Sequence, residues 1–134
     1  MSNSKQQIQI EAVLADDESL SRDLVNVFLK KWPQIKVIAE CSNGLSTVNS
    51  IFEHQPDLVF LDIQMPDLNG FEVLKEIGEE NAPQIIFISA FDKYAIKAFE
   101  ASAIDYLLKP ISQERFDKAV SKVLKNYDGK NITS

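Results

Sequence analysis

Five near-continuous apolar segments, each followed by a segment with helical spacing, run through this chain of 134 residues. The apolar segments are rich in β-branched and aromatic residues, which is typical of β-strands. Strands that are apolar on both sides belong to parallel sheets covered by helices on both faces. The pattern predicts an α/β fold, a doubly wound five-stranded parallel sheet with five helices. The predicted strands are residues 8–15, 35–41, 57–62, 84–90 and 105–109, and the predicted helices are residues 18–32, 43–55, 70–80, 93–102 and 112–127.

The first two helical segments carry apolar residues at the spacing expected for the side of a helix that packs on a sheet. Pro56 is expected to stop the second of these helices. The residues on the two predicted faces are Leu20, Leu24, Val27 and Phe28 in the first helix, and Leu45, Val48, Ile51 and Phe52 in the second.

Length and composition favour one domain, formed by residues 1–127, with residues 128–134 as a tail or the start of a linker. The polar first residues and the lack of a long apolar run predict a cytoplasmic protein that does not associate with a membrane. The single cysteine, Cys41, excludes an internal disulfide and fits a reducing compartment. A net charge of -6 argues against direct nucleic-acid binding by this chain.

Polar side chains follow four of the predicted strands where each strand ends. Because all carboxyl ends of a parallel sheet meet at one edge, and ligands bind there, this edge is the predicted functional site. The sole histidine, His54, lies far from this edge in the predicted fold and is expected to be a surface residue. The strand-end residues are Asp16, Asp17 and Glu18 at the end of the first strand, Asp62 at the end of the third, Ser89 at the end of the fourth and Lys109 at the end of the fifth.

The three aspartates Asp16, Asp17 and Asp62 predict a metal site. Two carboxylates about 4 Å apart repel each other by about 4 kcal/mol at an effective dielectric constant near 20. A hard divalent cation relieves this repulsion, and an all-oxygen ligand set suits Mg²⁺. Asp62 beside such a cation is a candidate nucleophile for aspartyl-phosphate formation. Lys109 and the hydroxyl of Ser89 are candidates to contact the transferred phosphoryl group, although a lysine or serine at a strand end is more commonly just solvated.

These motifs resemble the receiver domains of bacterial two-component response regulators, over about residues 8–126. The matching segments are "ADDE" at residues 15–18, "LDIQMPDLNG" at 61–70, "SA" at 89–90 and "LKP" at 108–110. The resemblance implies a flavodoxin-like fold with strand order 2-1-3-4-5. It also implies a phosphoacceptor signalling domain with slow autodephosphorylation rather than an enzyme.

The resemblance further implies a role for each matching residue. Asp62 is expected to accept a phosphoryl group from a sensor histidine kinase. Mg²⁺ is expected to bind Asp62, Asp17 directly, Asp16 mainly through water, and the backbone carbonyl of Gln64. Ser89 and Lys109 are expected to contact the phosphoryl group, and the peptide bond before Pro110 is expected to be cis.

Phosphorylation is expected to switch a surface built from the fourth helix, fifth strand and fifth helix, residues 92–101 and 105–125. Ser89 and Tyr106 are the expected switch residues, and an aromatic simply packed at the edge of the core is the alternative for Tyr106. A homodimer through the same surface is a further expectation. Residues 89–110 closely resemble receivers joined to LytTR-type DNA-binding output domains, which implies that such a domain follows residues 128–134 and controls transcription, with a stand-alone receiver as the alternative.

In the segment after Asp62, Met65 and Pro66 are expected to shape a turn and Gly70 to lead into the third helix. We assign no role to Asp67 from the sequence. Phe91 is bulky for its position two residues after Ser89, and we expect it to hinder attack by water on the acyl phosphate.

Three other functions compete with this interpretation. A phosphatase with an aspartyl-phosphate intermediate would usually carry a second acid two residues after the nucleophile, where this chain has Gln64. A flavodoxin-like cofactor carrier would need a phosphate-binding loop after the first strand, where this chain has three acids. A pseudo-receiver that acts only by protein contact is disfavoured because Asp62 and its predicted neighbours are all chemically competent.

Overall fold

The computed structural model describes residues 9–133, with side chains through Tyr127. Its strands form a single five-stranded sheet in which every pairing is parallel, in the order β2-β1-β3-β4-β5. The strands are β1 (Ile10–Ala15), β2 (Ile35–Cys41), β3 (Leu58–Asp62), β4 (Gln84–Ser89) and β5 (Asp105–Leu108). The α-helices are α1 (Ser19–Phe28), α2 (Gly44–His54), α3 (Gly70–Ile77), α4 (Ala95–Glu100) and α5 (Gln113–Thr133). The predicted fold class and strand order are confirmed.

The element bounds differ from the prediction mainly at the helix ends. Short 3₁₀ turns extend α1, follow α3 and precede α4. The last helix continues past the predicted end at Tyr127 to Thr133, through most of the segment predicted as a tail. Each residue added to an existing helix gains a backbone hydrogen bond, so a polar sequence alone does not end it. The polar first residues, Ile8 and Ser134 lie outside the described residues.

The sheet separates two apolar clusters, one under α1 and α5 and the other under α2, α3 and α4. Every residue of β3 is buried, as expected for a central strand covered on both faces. Phe60 of β3 stacks on Phe116 of α5, with ring centroids 5.5 Å apart. This packing holds the end of β3, and with it Asp62, in the middle of the sheet edge.

The apolar faces predicted for α1 and α2 are only partly buried. In α1, Phe28 packs into the core, but Leu20 is 80% exposed and Val27 is 52% exposed. In α2, Ile51 is buried and Phe52 is exposed. Both helices carry apolar residues around more of their circumference than the sheet covers. The spacing of apolar residues therefore predicted a helix face that is rotated from the face that contacts the sheet.

Candidate functional site

Three carboxylates meet at the carboxyl edge of the sheet. One oxygen from each of Asp16, Asp17 and Asp62 lies within 4.8 Å of the others. Asp62 is the last residue of β3, and Asp16 directly follows β1, its neighbour in the sheet. Asp16 and Asp62 are buried, whereas Asp17 is exposed. Parallel pairing of β1 with β3 thus brings together acids that are about 45 residues apart in sequence.

Lys109 is the cation that faces this cluster. Its Nζ atom lies 3.2 Å from Asp62 Oδ2, 3.1 Å from Asp16 Oδ2 and 2.7 Å from Glu18 Oε1. The backbone N–H of Lys109 donates to the carbonyl of Ser89 at 2.7 Å, which continues the ladder between β4 and β5. We assigned no role to Glu18 from the sequence, although its position in the "ADDE" motif indicated that it lies at this edge. It makes the shortest of the three contacts with the lysine.

The charges at this edge perturb one another. Burial, followed by the nearby negative charge of Asp16, raises the pKa of Asp62 from 3.8 to about 7. Burial would lower the pKa of Lys109, but the hydrogen bond to Glu18 and the charges of Asp62 and Asp16 outweigh it and raise that pKa. The hydrogen bond from Lys109 also lowers the pKa of Glu18. One lysine therefore does not neutralise the cluster.

The residues present fit a hard divalent cation. Asp16 Oδ2 is buried, and its contact with Lys109 Nζ at 3.1 Å is an ion pair rather than a well-aligned hydrogen bond. Such an oxygen can still accept a further partner. The side-chain donors are all carboxylate oxygens, which Mg²⁺ and Ca²⁺ prefer. Gln64 lies beside them, and its backbone N–H donates to Asp62 Oδ1 at 3.1 Å.

The predicted switch residues Ser89 and Tyr106 both contact the backbone of Phe91. The Oγ atom of Ser89, which is fully buried, accepts a hydrogen bond from the Phe91 N–H at 3.0 Å. The half-buried Tyr106 donates its hydroxyl to the Phe91 carbonyl. A displacement of Ser89 would therefore act on the same peptide segment that holds Tyr106. The peptide bond between Lys109 and Pro110 is cis.

The segment between β3 and α3 is fixed at its end by Gly70. The Gly70 N–H donates to the carbonyl of Ile63 at 2.8 Å. A Cβ atom at Gly70 would lie 2.9 Å from the backbone carbonyl oxygen of Asp62. A side chain at residue 70 would therefore collide with the backbone of Asp62. Glycine at this position permits the close approach.

A five-stranded sheet in this order, with acids, a buried serine and a lysine at its carboxyl edge, defines the receiver class of signalling domains. The family described as "Response regulator receiver domain" matches residues 12–121, and the chain belongs to this family. Its members are signalling domains.

Relatives with known names support this assignment. The transcriptional regulatory protein BtsR of Escherichia coli strain K12 is 43% identical over 114 residues, which are 85% of this chain and 48% of that protein. The crystal structure of the response regulatory domain of MrkE from Klebsiella pneumoniae is 25% identical with a TM-score of 0.81, covering 90% of this chain and 99% of that one. The crystal structure of a LuxR-family DNA-binding response regulator from Staphylococcus aureus is 30% identical with a TM-score of 0.76. The match covers 85% of this chain and 98% of that one.

The chain spans about half the length of the curated relatives that it matches. Within residues 9–133, no helix has both the length and the apolar character needed to cross a membrane.

Proposed function

We propose that this receiver domain accepts a phosphoryl group on Asp62 from a sensor histidine kinase in the cytoplasm, in a Mg²⁺-dependent reaction. The observation that carries the proposal is the buried Asp62 carboxylate, which lies within reach of two further aspartates and of Lys109. Burial and the charge of Asp16 raise the pKa of Asp62 even though Lys109 lies 3.2 Å away, and strongly perturbed pKa values are typical of functional sites. A divalent cation at this edge would offset the remaining negative charge.

In the proposed reaction, an Asp62 oxygen attacks the phosphorus of a phosphohistidine. The new O–P bond forms as the N–P bond breaks, and the imidazole leaves and recovers a proton from solvent. Lys109 can transfer its contact from the carboxylate to an oxygen of the bound phosphoryl group, and Ser89 can donate its hydroxyl to another. Later attack by water on phosphorus breaks the O–P bond, releases inorganic phosphate and restores the Asp62 carboxylate.

Asp16, Asp17, Asp62 and the backbone of Gln64 would hold Mg²⁺ at this site. When bound, the cation neutralises negative charge on the carboxylates and on the phosphoryl group during transfer. Asp16 Oδ2, which is buried and accepts no hydrogen bond, supports this assignment.

Incubation with acetyl phosphate and Mg²⁺, followed by intact mass spectrometry, tests the proposal directly. We expect one phosphoryl group per chain, and none on Asp62→Asn or in the presence of a chelator. No mass gain in the wild-type protein would favour the pseudo-receiver that acts by protein contact alone. Turnover of a phosphate ester without any kinase would instead favour the phosphatase.

We further propose that phosphorylation switches the surface of α4, β5 and α5. The shared contacts of Ser89 and Tyr106 with the Phe91 backbone support this proposal, because they join the site to β5. A modification shifts a conformational equilibrium only if it interacts differently with the two states. A movement of Ser89 toward the phosphoryl group would provide that difference.

This surface exposes apolar side chains that a partner or a second copy could cover. The exposed residues are Ile96, Phe99 and Leu108, and the exposed Phe91 precedes this surface in the chain. A homodimer through this surface, and an attached LytTR-type DNA-binding domain following a receiver of residues 1–127, are part of the proposal. The name of the BtsR relative, a transcriptional regulatory protein, and its greater length support control of transcription.

We expect Phe91→Ala to speed release of phosphate from the phosphorylated protein by roughly threefold, because a smaller side chain admits water more readily. The ring of Phe91 is 43% exposed, and its backbone N–H contacts Ser89 Oγ. The decay of the phosphorylated mass with time measures the rate. Phe99→Ala is the control, because it removes an exposed ring that lies on α4, and it should leave the rate of phosphate release unchanged. Equal rates for Phe91→Ala and the wild-type protein would contradict the role of Phe91.

A further inference from the structure

Asp67 makes an unusual set of contacts for an exposed loop residue. Its Oδ1 atom accepts hydrogen bonds from the backbone N–H groups of Gly44 at 2.8 Å and Leu45 at 3.1 Å. The same oxygen accepts a third bond from the N–H of Leu68. Gly44 and Leu45 are the first residues of α2, which Asn43 caps through the Ser46 N–H, so Asp67 adds a second capping side chain from a distant part of the sequence. A carboxylate is well suited to these unpaired N–H groups and to the positive end of the helix dipole.

The backbone conformations of α2 and of the segment around Asp67 also favour their contact. The Gly44 N–H also lies 3.2 Å from the carbonyl of Pro66, and a Cβ atom at Gly44 would come within 2.4 Å of Leu68. Asp67 adopts a φ of 65°, in the left-handed region that asparagine, aspartate and glycine tolerate best. The absence of a side chain at residue 44 and the conformation of Asp67 are thus both needed for the helix and the loop to meet.

Asp67 lies in loop 64–69, which connects the end of β3, where Asp62 lies, to α3. The ends of this loop are held by the Gln64 N–H on Asp62 Oδ1 and by the Gly70 N–H on the carbonyl of Ile63. Between these ends, Asp67 and Pro66 are the residues that bind the loop to α2.

We propose that Asp67 is a positioning residue that holds loop 64–69, and with it Gln64, at the carboxylate cluster by binding the N-terminus of α2. The proposal rests on the proposed function, in which the Gln64 backbone contributes to the Mg²⁺ site. A loop released from α2 would sample more conformations and would have to be ordered again when the cation binds. The cost of that ordering would be subtracted from the free energy of cation binding.

Two substitutions separate the capping bond from the backbone conformation. Asp67→Gly keeps the positive φ but removes the oxygen that binds α2. Asp67→Asn keeps both an acceptor oxygen and tolerance of the left-handed region. Asp57→Ala is the matched control, because Asp57 Oδ2 also binds a distant backbone N–H, that of Glu11 at 2.9 Å, but at the opposite edge of the sheet.

We expect Asp67→Gly to weaken Mg²⁺ affinity about tenfold in titration calorimetry, the cost of ordering the backbone of roughly one more residue, with Asp67→Asn restoring it to within about twofold of the wild-type value. In the metal-free protein, amide hydrogen exchange measured by NMR should speed up at Gly44, Leu45 and Gln64 in Asp67→Gly. Asp57→Ala should lower thermal stability without either effect.

Unchanged exchange at Gln64, or equal loss of Mg²⁺ affinity in Asp67→Gly and Asp57→Ala, would overturn the role of Asp67. A wild-type protein that bound no Mg²⁺ and accepted no phosphoryl group would contradict the proposed function instead. Anchoring of the loop by Asp67 is decided separately, by the exchange at Gln64, which requires no metal.

Discussion

Lys109→Met should lower the free energy of unfolding by about 3 kcal/mol at mildly alkaline pH in the presence of a chelator. Within the part of the chain that the structure describes, the substitution removes the cation that lies within 3.2 Å of both buried carboxylates, Asp16 and Asp62. Buried charges left without a partner are strongly destabilising, because neither water nor a counter-ion then solvates them. Methionine retains the apolar stem, which lines a groove with Leu24 and Pro110, so the loss reports the charge. Urea unfolding with and without Mg²⁺ measures the effect.

Two comparisons make the Lys109 experiment specific. Asp62→Asn in the Lys109→Met background should recover much of the lost stability, as should saturating Mg²⁺, since each reduces the uncompensated negative charge. Lys31→Met is the matched control, because Lys31 pairs with Asp117 at 2.9 Å but is largely exposed. Exposed pairs contribute about 0–1 kcal/mol. A cost for Lys109→Met no larger than that of Lys31→Met would contradict the prediction.

Asp62→Asn alone should raise the free energy of unfolding by at most about 4 kcal/mol at mildly alkaline pH without metal. Burial and the charge of Asp16 raise the pKa of Asp62 from 3.8 in a model carboxyl to about 7 in the fold. The native state thus binds this proton more tightly than the unfolded chain does. Its stabilising contribution is complete below about pH 4 and is lost as pH rises to about 7. Wild-type stability should fall across that window relative to Asp62→Asn.

Asp105, a buried acid whose pKa is lowered rather than raised, provides the control. Burial would raise the pKa of Asp105, but hydrogen bonds from Arg115, the Tyr106 N–H and Lys122 outweigh it and lower that pKa. Asp105→Asn should therefore destabilise the protein at neutral pH, because the ionised form contributes stability that is lost only as the pH falls through its lowered pKa. Denaturant midpoints measured across the pH range distinguish the two cases. A destabilising effect of Asp62→Asn in chelator would contradict the assignment of Asp62 as an under-compensated charge.

The sequence was sufficient to predict the sheet and the residues at its edge. Continuous apolar runs such as that of β3 have only one common environment, a parallel sheet covered on both faces. Parallel strands place all their carboxyl ends together, so a polar residue at a strand end is placed in space by its position in the chain alone. Asp16, Asp62, Ser89 and Lys109 are all found at this edge.

Helix faces and capping contacts were decided by the tertiary structure. Spacing could not show which apolar side of α1 the sheet covers, and Leu20 and Val27 are exposed. The sequence placed Glu18 at the functional edge without a role and gave Asp67 none, because their partners, Lys109 and the start of α2, lie far from them in sequence. Local patterns determine which way a strand runs and where it ends. A hydrogen bond between distant segments depends on how those segments pack, and only the folded chain specifies that.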